Sequence, residues 1–114
     1  MPNVATTLNN LAVIHKENGQ KKDAVAEYNE ALVIRRRLEA KNPDTYLSDV
    51  AMTLFNIALL HLDMKEYPAA ETAALESLEK YRIMAEKSHA TFDKDVKDAE
   101  ELLEVIRKAK EAEE

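Results

Sequence analysis

At 114 residues, 46% of them hydrophobic and 33% charged, the chain can build one domain with a core of ordinary density. Its 22 acids against 16 bases give a net charge of −6, which opposes binding to a phosphate backbone, so nucleic acid is not expected as a partner. There is no cysteine, which excludes disulfides and thiolate metal sites, and one glycine and three prolines suit long helices joined by short turns, not a β-rich fold.

Met1-Pro2-Asn3-Val4 has neither the basic start nor the apolar run of a signal segment. No stretch is expected to reach the roughly 20 apolar residues of a membrane span, so a membrane is not expected as a partner. A cytoplasmic location is the default expectation. From Val4 to about Lys16, residues Val4, Leu8, Leu11, Ala12 and Ile14 follow helical spacing, and Asn18-Gly19 supplies a stop that tolerates the left-handed conformation. A second helix is predicted from near Lys21, with an apolar stripe through Ala24, Val25, Tyr28, Ala31, Leu32, Ile34 and Leu38, ending before Asn42-Pro43-Asp44. A third opens near Ser48 or a few residues earlier and carries Val50, Leu54, Ile57, Ala58, Leu60 and His61. Its end is less sharply marked, because Asp63-Met64-Lys65-Glu66 has no glycine.

Pro68 suits the first turn of a fourth helix running through Ala70, Ala74, Leu75, Leu78, Tyr81 and Ile83 toward Lys87, with Ser88-His89-Ala90-Thr91 as its last turn. A fifth helix is predicted from Phe92, with Val96, Ala99, Leu103 and Ile106 on one face and Leu102, Val105 and Ala109 widening it.

The first and third helices superimpose with a constant offset of 46 residues, 4 to 50 and 12 to 58: Val4, Ala5, Leu8, Asn10, Ala12 and His15 fall on Val50, Ala51, Leu54, Asn56, Ala58 and His61. Ala24, Ala31 and Leu32 fall on Ala70, Ser77 and Leu78, so the repeated unit is a helix pair. The fifth helix breaks the pattern, with Glu100 and Glu104 at the positions of Leu54 and Ala58, as a soluble terminal cap would. The expected division is repeat one at 3–43, repeat two at 46–88 and a capping helix at 91–112. A first repeat that starts at Val4 also suits a piece of a longer array, with targeting encoded elsewhere.

Small residues at Ala12, Ala24 and Ala31, among large ones at Leu8, Leu11, Tyr28 and Leu32, resemble the tetratricopeptide repeat. The period exceeds the ordinary 34 residues. The Leu-Asn-Asn-Leu-Ala run at 8–12 and Asn42-Pro43-Asp44 before the next Val-Ala resemble the extended form found in kinesin light chains and bacterial repeat proteins. In repeat two, Ala74 departs from the bulky residue expected opposite Tyr28. The resemblance implies an all-α, right-handed α-solenoid whose first helices line a concave groove, and no catalytic activity.

With Leu8, Leu11, Ala12 and His15 turned to the core, the complementary face carries Thr6, Asn9, Asn10, Val13, Lys16 and Glu17; in repeat two it carries Met52, Phe55, Asn56, Leu59, Leu62 and Asp63. By resemblance this face binds an extended peptide, Asn10 and Asn56 bonding its backbone, since an amide both donates and accepts. The apolar residues Met52, Phe55, Leu59 and Leu62 form either a partner site or a surface covered by the fifth helix or by another copy. No lysine stands at Asn9 or Phe55, which disfavours a clamp for acidic tails.

His15 and His61 repeat, but equivalent residues on packed helices lie about 10 Å apart, too far to share zinc. They are expected to be packing histidines, and neither metal nor cofactor is implied. Arg35-Arg36-Arg37 is expected on a solvated face, paired with Glu30 and Glu39. Glu100-Glu101 is expected to face water. No phosphate loop, nucleophile elbow or zinc-protease helix occurs. The expected function is a non-catalytic scaffold for a protein or peptide; the alternatives are a homo-oligomer built through open repeat ends and a regulatory repeat domain of a larger enzyme or signalling protein.

Overall fold

The computed structural model describes residues 4–113. The expected first residue of repeat one, residue 3, lies outside them. Five helices follow one another: α1 (Val4–Glu17), α2 (Lys21–Lys41), α3 (Pro43–Asp63), α4 (Tyr67–Lys87) and α5 (His89–Glu113), with no strand among the described residues. Each helix packs antiparallel to the next, α5 lying along α4 and only brushing α3. The thinnest dimension, 20 Å, is two helix diameters: α1, α3 and α5 form one layer, α2 and α4 the other.

The turns repeat as closely as the helices do. After α1, the Gln20 amide donates to the His15 carbonyl at 2.7 Å and the Gly19 amide to Lys16, with Gly19 at φ +80°. After α3, Glu66 donates to His61 at 2.8 Å and Lys65 to Leu62, with Lys65 at φ 59°. Both are the same left-handed helix stop, built once on glycine and once on lysine. The unmarked end of α3 is therefore as sharp as that of α1. A lysine there bears a Cβ penalty of about 1 kcal/mol, which the turn's two hydrogen bonds, one from Lys65 and one from Glu66, offset.

The even-to-odd connections are a single residue each. Asn42 donates to the Leu38 carbonyl and accepts from Thr45 and Tyr46; Ser88, at the matching place, donates to Met84 and accepts from Thr91 and Phe92. Of the two starts expected for the third helix the earlier holds: it begins at Pro43, because Pro43 at N1 starts a helix without needing its missing N–H. One sequence expectation is corrected here. His89-Ala90-Thr91 opens α5 instead of closing α4, so the last helix spans 89–113 and not 91–112.

By length and mean hydropathy α3 is apolar enough to cross a membrane, which corrects the expectation that no segment is. Its apolarity has a local cause: it is the central helix, with Val50, Ala51, Leu54, Ile57, Ala58 and Leu60 buried between α2 on one side and α4 on the other.

Candidate functional site

At 100° per residue, each odd helix presents three faces about 120° apart. One meets the following even helix. In α3 it holds Ala51, Leu54 and Ala58, all buried, and the Ser77 hydroxyl of α4 donates to the Ala51 carbonyl at 2.8 Å, a contact only small residues allow. In α1 the same face holds buried Ala5 and Ala12, and His15 Nδ1 lies 2.6 Å from Glu27 of α2. Glu27 has no acidic counterpart in repeat two, where Ala73 takes its place, and His61 pairs instead with Glu66. In α5 this face holds Lys97, Glu100 and Glu104, all exposed, with no further helix among the described residues. Glu100 and Glu101 are exposed, as expected, and Glu100 accepts from Arg82 at 3.3 Å on that surface.

The second face meets the preceding even helix. Val50, Thr53, Ile57 and Leu60 of α3 lie under α2; Val96, Ala99, Leu103 and Ile106 of α5 lie under α4, and 96, 99, 103 and 106 are 50, 53, 57 and 60 plus 46. The last helix thus keeps the repeat on the face that has a neighbour and abandons it on the face that has none. In α1 the corresponding residues Val4, Leu11 and Ile14 are exposed, which corrects the expectation that Leu11 is core.

The even helices supply what covers this second face. Arg35 is 4% exposed and its Nη1 donates to Thr53 Oγ1 at 2.7 Å. Arg36 reaches across to α4 and grips Glu76 with both terminal nitrogens, at 2.6 and 2.8 Å, and Lys80 bonds Glu39 at 2.9 Å. The arginine run is therefore not a solvated face: two of its three members tie α2 to α3 and α4. Tyr81, at the position of Arg35 in the next unit, is pushed up to about 12, first by burial and then by Asp95 and Asp98 of α5.

Arg36 holds Glu76 below the ordinary carboxylate pKa of 4.5 by its hydrogen bond, against the opposing effect of burial. A carboxyl group whose pKa is lowered by folding contributes stability that is present above its unfolded pKa and lost as pH falls through the folded one. Since both side chains are about a third exposed, a double-mutant cycle on Arg36→Ala and Glu76→Gln should give a coupling of about 0.5–1 kcal/mol at neutral pH. It should weaken as pH falls through the carboxyl's lowered folded-state pKa, and a coupling that stays constant as the pH is lowered would show that charge is not what joins the pair.

The third face carries the sequence-derived site residues. Thr6, Asn10 and Val13 of α1 are exposed, and Asn9 and Lys16 half-buried; Asn9 Oδ1 is buried with no hydrogen-bond partner among the described residues. In α3, Met52 is exposed, while Phe55, Asn56, Leu59 and Leu62 are half-buried, the three large apolar ones resting against the core. Only Met52 of these five is exposed, and α5 touches α3 lightly. The pattern continues one step beyond what the residue reading assigned: 13, 59 and 105 are one position, so Val105 of α5 belongs with Val13 and Leu59. Adding the offset twice finds it. Val13 is 40%, Met52 41% and Val105 53% exposed.

A family model described as tetratricopeptide repeat matches residues 4–44 and again 50–91. No curated protein matches the chain.

Proposed function

Because the chain belongs to the tetratricopeptide repeat family, whose members typically mediate protein–protein contacts without catalysis, we propose that it holds an extended peptide segment along the third face of α1, α3 and α5. The observation that carries this reading is the exposure of Val13, Met52 and Val105, apolar side chains on the third face of the odd helices. Beside them Asn10 and Asn56 recur at one position, and an amide can pair with either group of a passing peptide unit whatever its side chain. Backbone bonds from the asparagines give register; shallow apolar pockets at Met52, Phe55 and Leu59 select side chains.

The test is capture of proteins from a lysate on the immobilised chain and on the Asn10→Ala, Asn56→Ala variant at equal folded concentration. A protein retained by the first and lost, by at least about tenfold, from the second is the expected result. Equal retention by both would remove the asparagines from the mechanism.

A further inference from the structure

The third face changes its chemistry from helix to helix. At two successive levels α1 presents Thr6 and Asn9, polar and uncharged; α3 presents Met52 and Phe55; α5 presents Asp98 and Glu101. Met52 and Glu101 are exposed, Phe55 and Asp98 half-buried. We infer, on the reading of this face as a peptide site, that the segment it holds is cationic next to its apolar anchor: an aliphatic or aromatic residue seated at Met52 and Phe55, followed by lysine or arginine facing Asp98 and Glu101.

The two carboxylates lack a counter-charge. Neither forms an ion pair among the described residues, although their neighbours do: Glu100 is bonded by Arg82 at 3.3 Å and Glu104 by Lys108 at 2.9 Å. Lys94 and Lys97, one turn before Asp98 and Glu101, bridge to neither. Their charge also reaches inward, since Asp95 and Asp98 add to burial in pushing the Tyr81 hydroxyl up to about 12. The other lysines of the face, Lys16 and Lys108, lie two turns beyond Asn9 and Glu101, past Val13 and Val105. An apolar patch bordered by uncompensated carboxylates, on a chain of net charge −6, attracts a basic segment and repels an acidic one.

Spacing fixes the pattern. Neighbouring packed helices lie about 10 Å apart. In polyproline II geometry, with three residues per turn and about 3.1 Å per residue, residues i and i+3 share a side and stand about 9 Å apart. A β-strand would turn i+3 to the opposite side. The segment that meets α3 and α5 in succession is therefore apolar-x-x-basic in polyproline II conformation.

Random peptides of about nine residues, long enough to cross three helices, are displayed on phage, selected on the immobilised full chain at low salt and sequenced. The expected result is enrichment of an apolar residue three places from Lys or Arg. Binding of the enriched peptides, synthesised and labelled, should fall by at least about tenfold on the Asp98→Asn, Glu101→Gln chain. Selection on Asp98→Lys, Glu101→Lys should turn to Asp or Glu at the same place. No enrichment, enrichment of acidic peptides by the parent chain, or a basic preference that survives the charge reversal overturns the inference. Failure of the peptide face itself reads differently: the enriched peptides then bind the Met52→Asp chain and the Asn10→Ala, Asn56→Ala chain undiminished, and the inference falls with it. A parent chain that dimerises and becomes monomeric with Met52→Asp gives the face to a second copy and overturns the inference as well.

Discussion

Leu60→Ala should cost about 2–5 kcal/mol of stability, whereas Ile14→Ala, at the same place in the first unit, should change it by less than about 0.5 kcal/mol. The two residues share a repeat position and an aliphatic character, yet Leu60 is fully buried between α2 and α3 and Ile14 is half in water. Removing Leu60 loses its transfer free energy and leaves a cavity that two packed helices cannot close. Removing Ile14 takes away surface that solvent already reaches. Urea unfolding with unchanged slope measures both. Comparable losses would mean that α1's outer stripe is covered in solution, and the picture of a bare first unit would fail.

Arg35 sets the second test, because a buried guanidinium with one hydroxyl for company is an unusual core residue. Its Nε has no hydrogen-bond partner among the described residues, and Thr53 does not depend on it, since that hydroxyl also donates to the Asp49 carbonyl at 2.9 Å. What α2 and α3 gain from Arg35 is then chiefly the packing of its aliphatic stem. Arg35→Ala should cost about 2–4 kcal/mol, while Arg35→Met, which keeps an unbranched stem and removes an incompletely bonded charge, should lie within about 1 kcal/mol of the parent or above it. Repeat two already makes a version of this exchange, with Tyr81 at the equivalent position. If methionine proves as damaging as alanine, the hydrogen bond to Thr53 outweighs the stem.

The helix-pair repeat was legible because buried positions recur at a fixed offset, and Ala12, Ala24 and Ala31 mark where helices approach closely. The family match over 4–44 and 50–91 agrees with that reading. What could not be read was which apolar face has a neighbour. Leu11 and Ile57 are equivalent in sequence, and only the presence of α2 beside one and nothing beside the other makes the first exposed and the second core. Arg35 misled for the opposite reason: three adjacent arginines look solvated, but consecutive residues on a helix point in different directions, and one of those directions was inward. The end of α3 looked less sharp than it is because Lys65 adopts a conformation usually left to glycine. The fifth helix looked like a break in the repeat because its two charged replacements, Glu100 and Glu104, sit on the face with no partner, while 96, 99, 103 and 106 hold the register.

The most direct test of the binding face is photo-crosslinking with p-benzoylphenylalanine placed singly at Val13 and at Leu75. These positions are nearly equally exposed, at 40% and 43%, but lie on opposite layers of the molecule. If a partner peptide lies along the odd helices, the probe at Val13 captures it and the probe at Leu75 does not. Capture from Leu75 alone would put the partner on the even-helix layer and contradict the account.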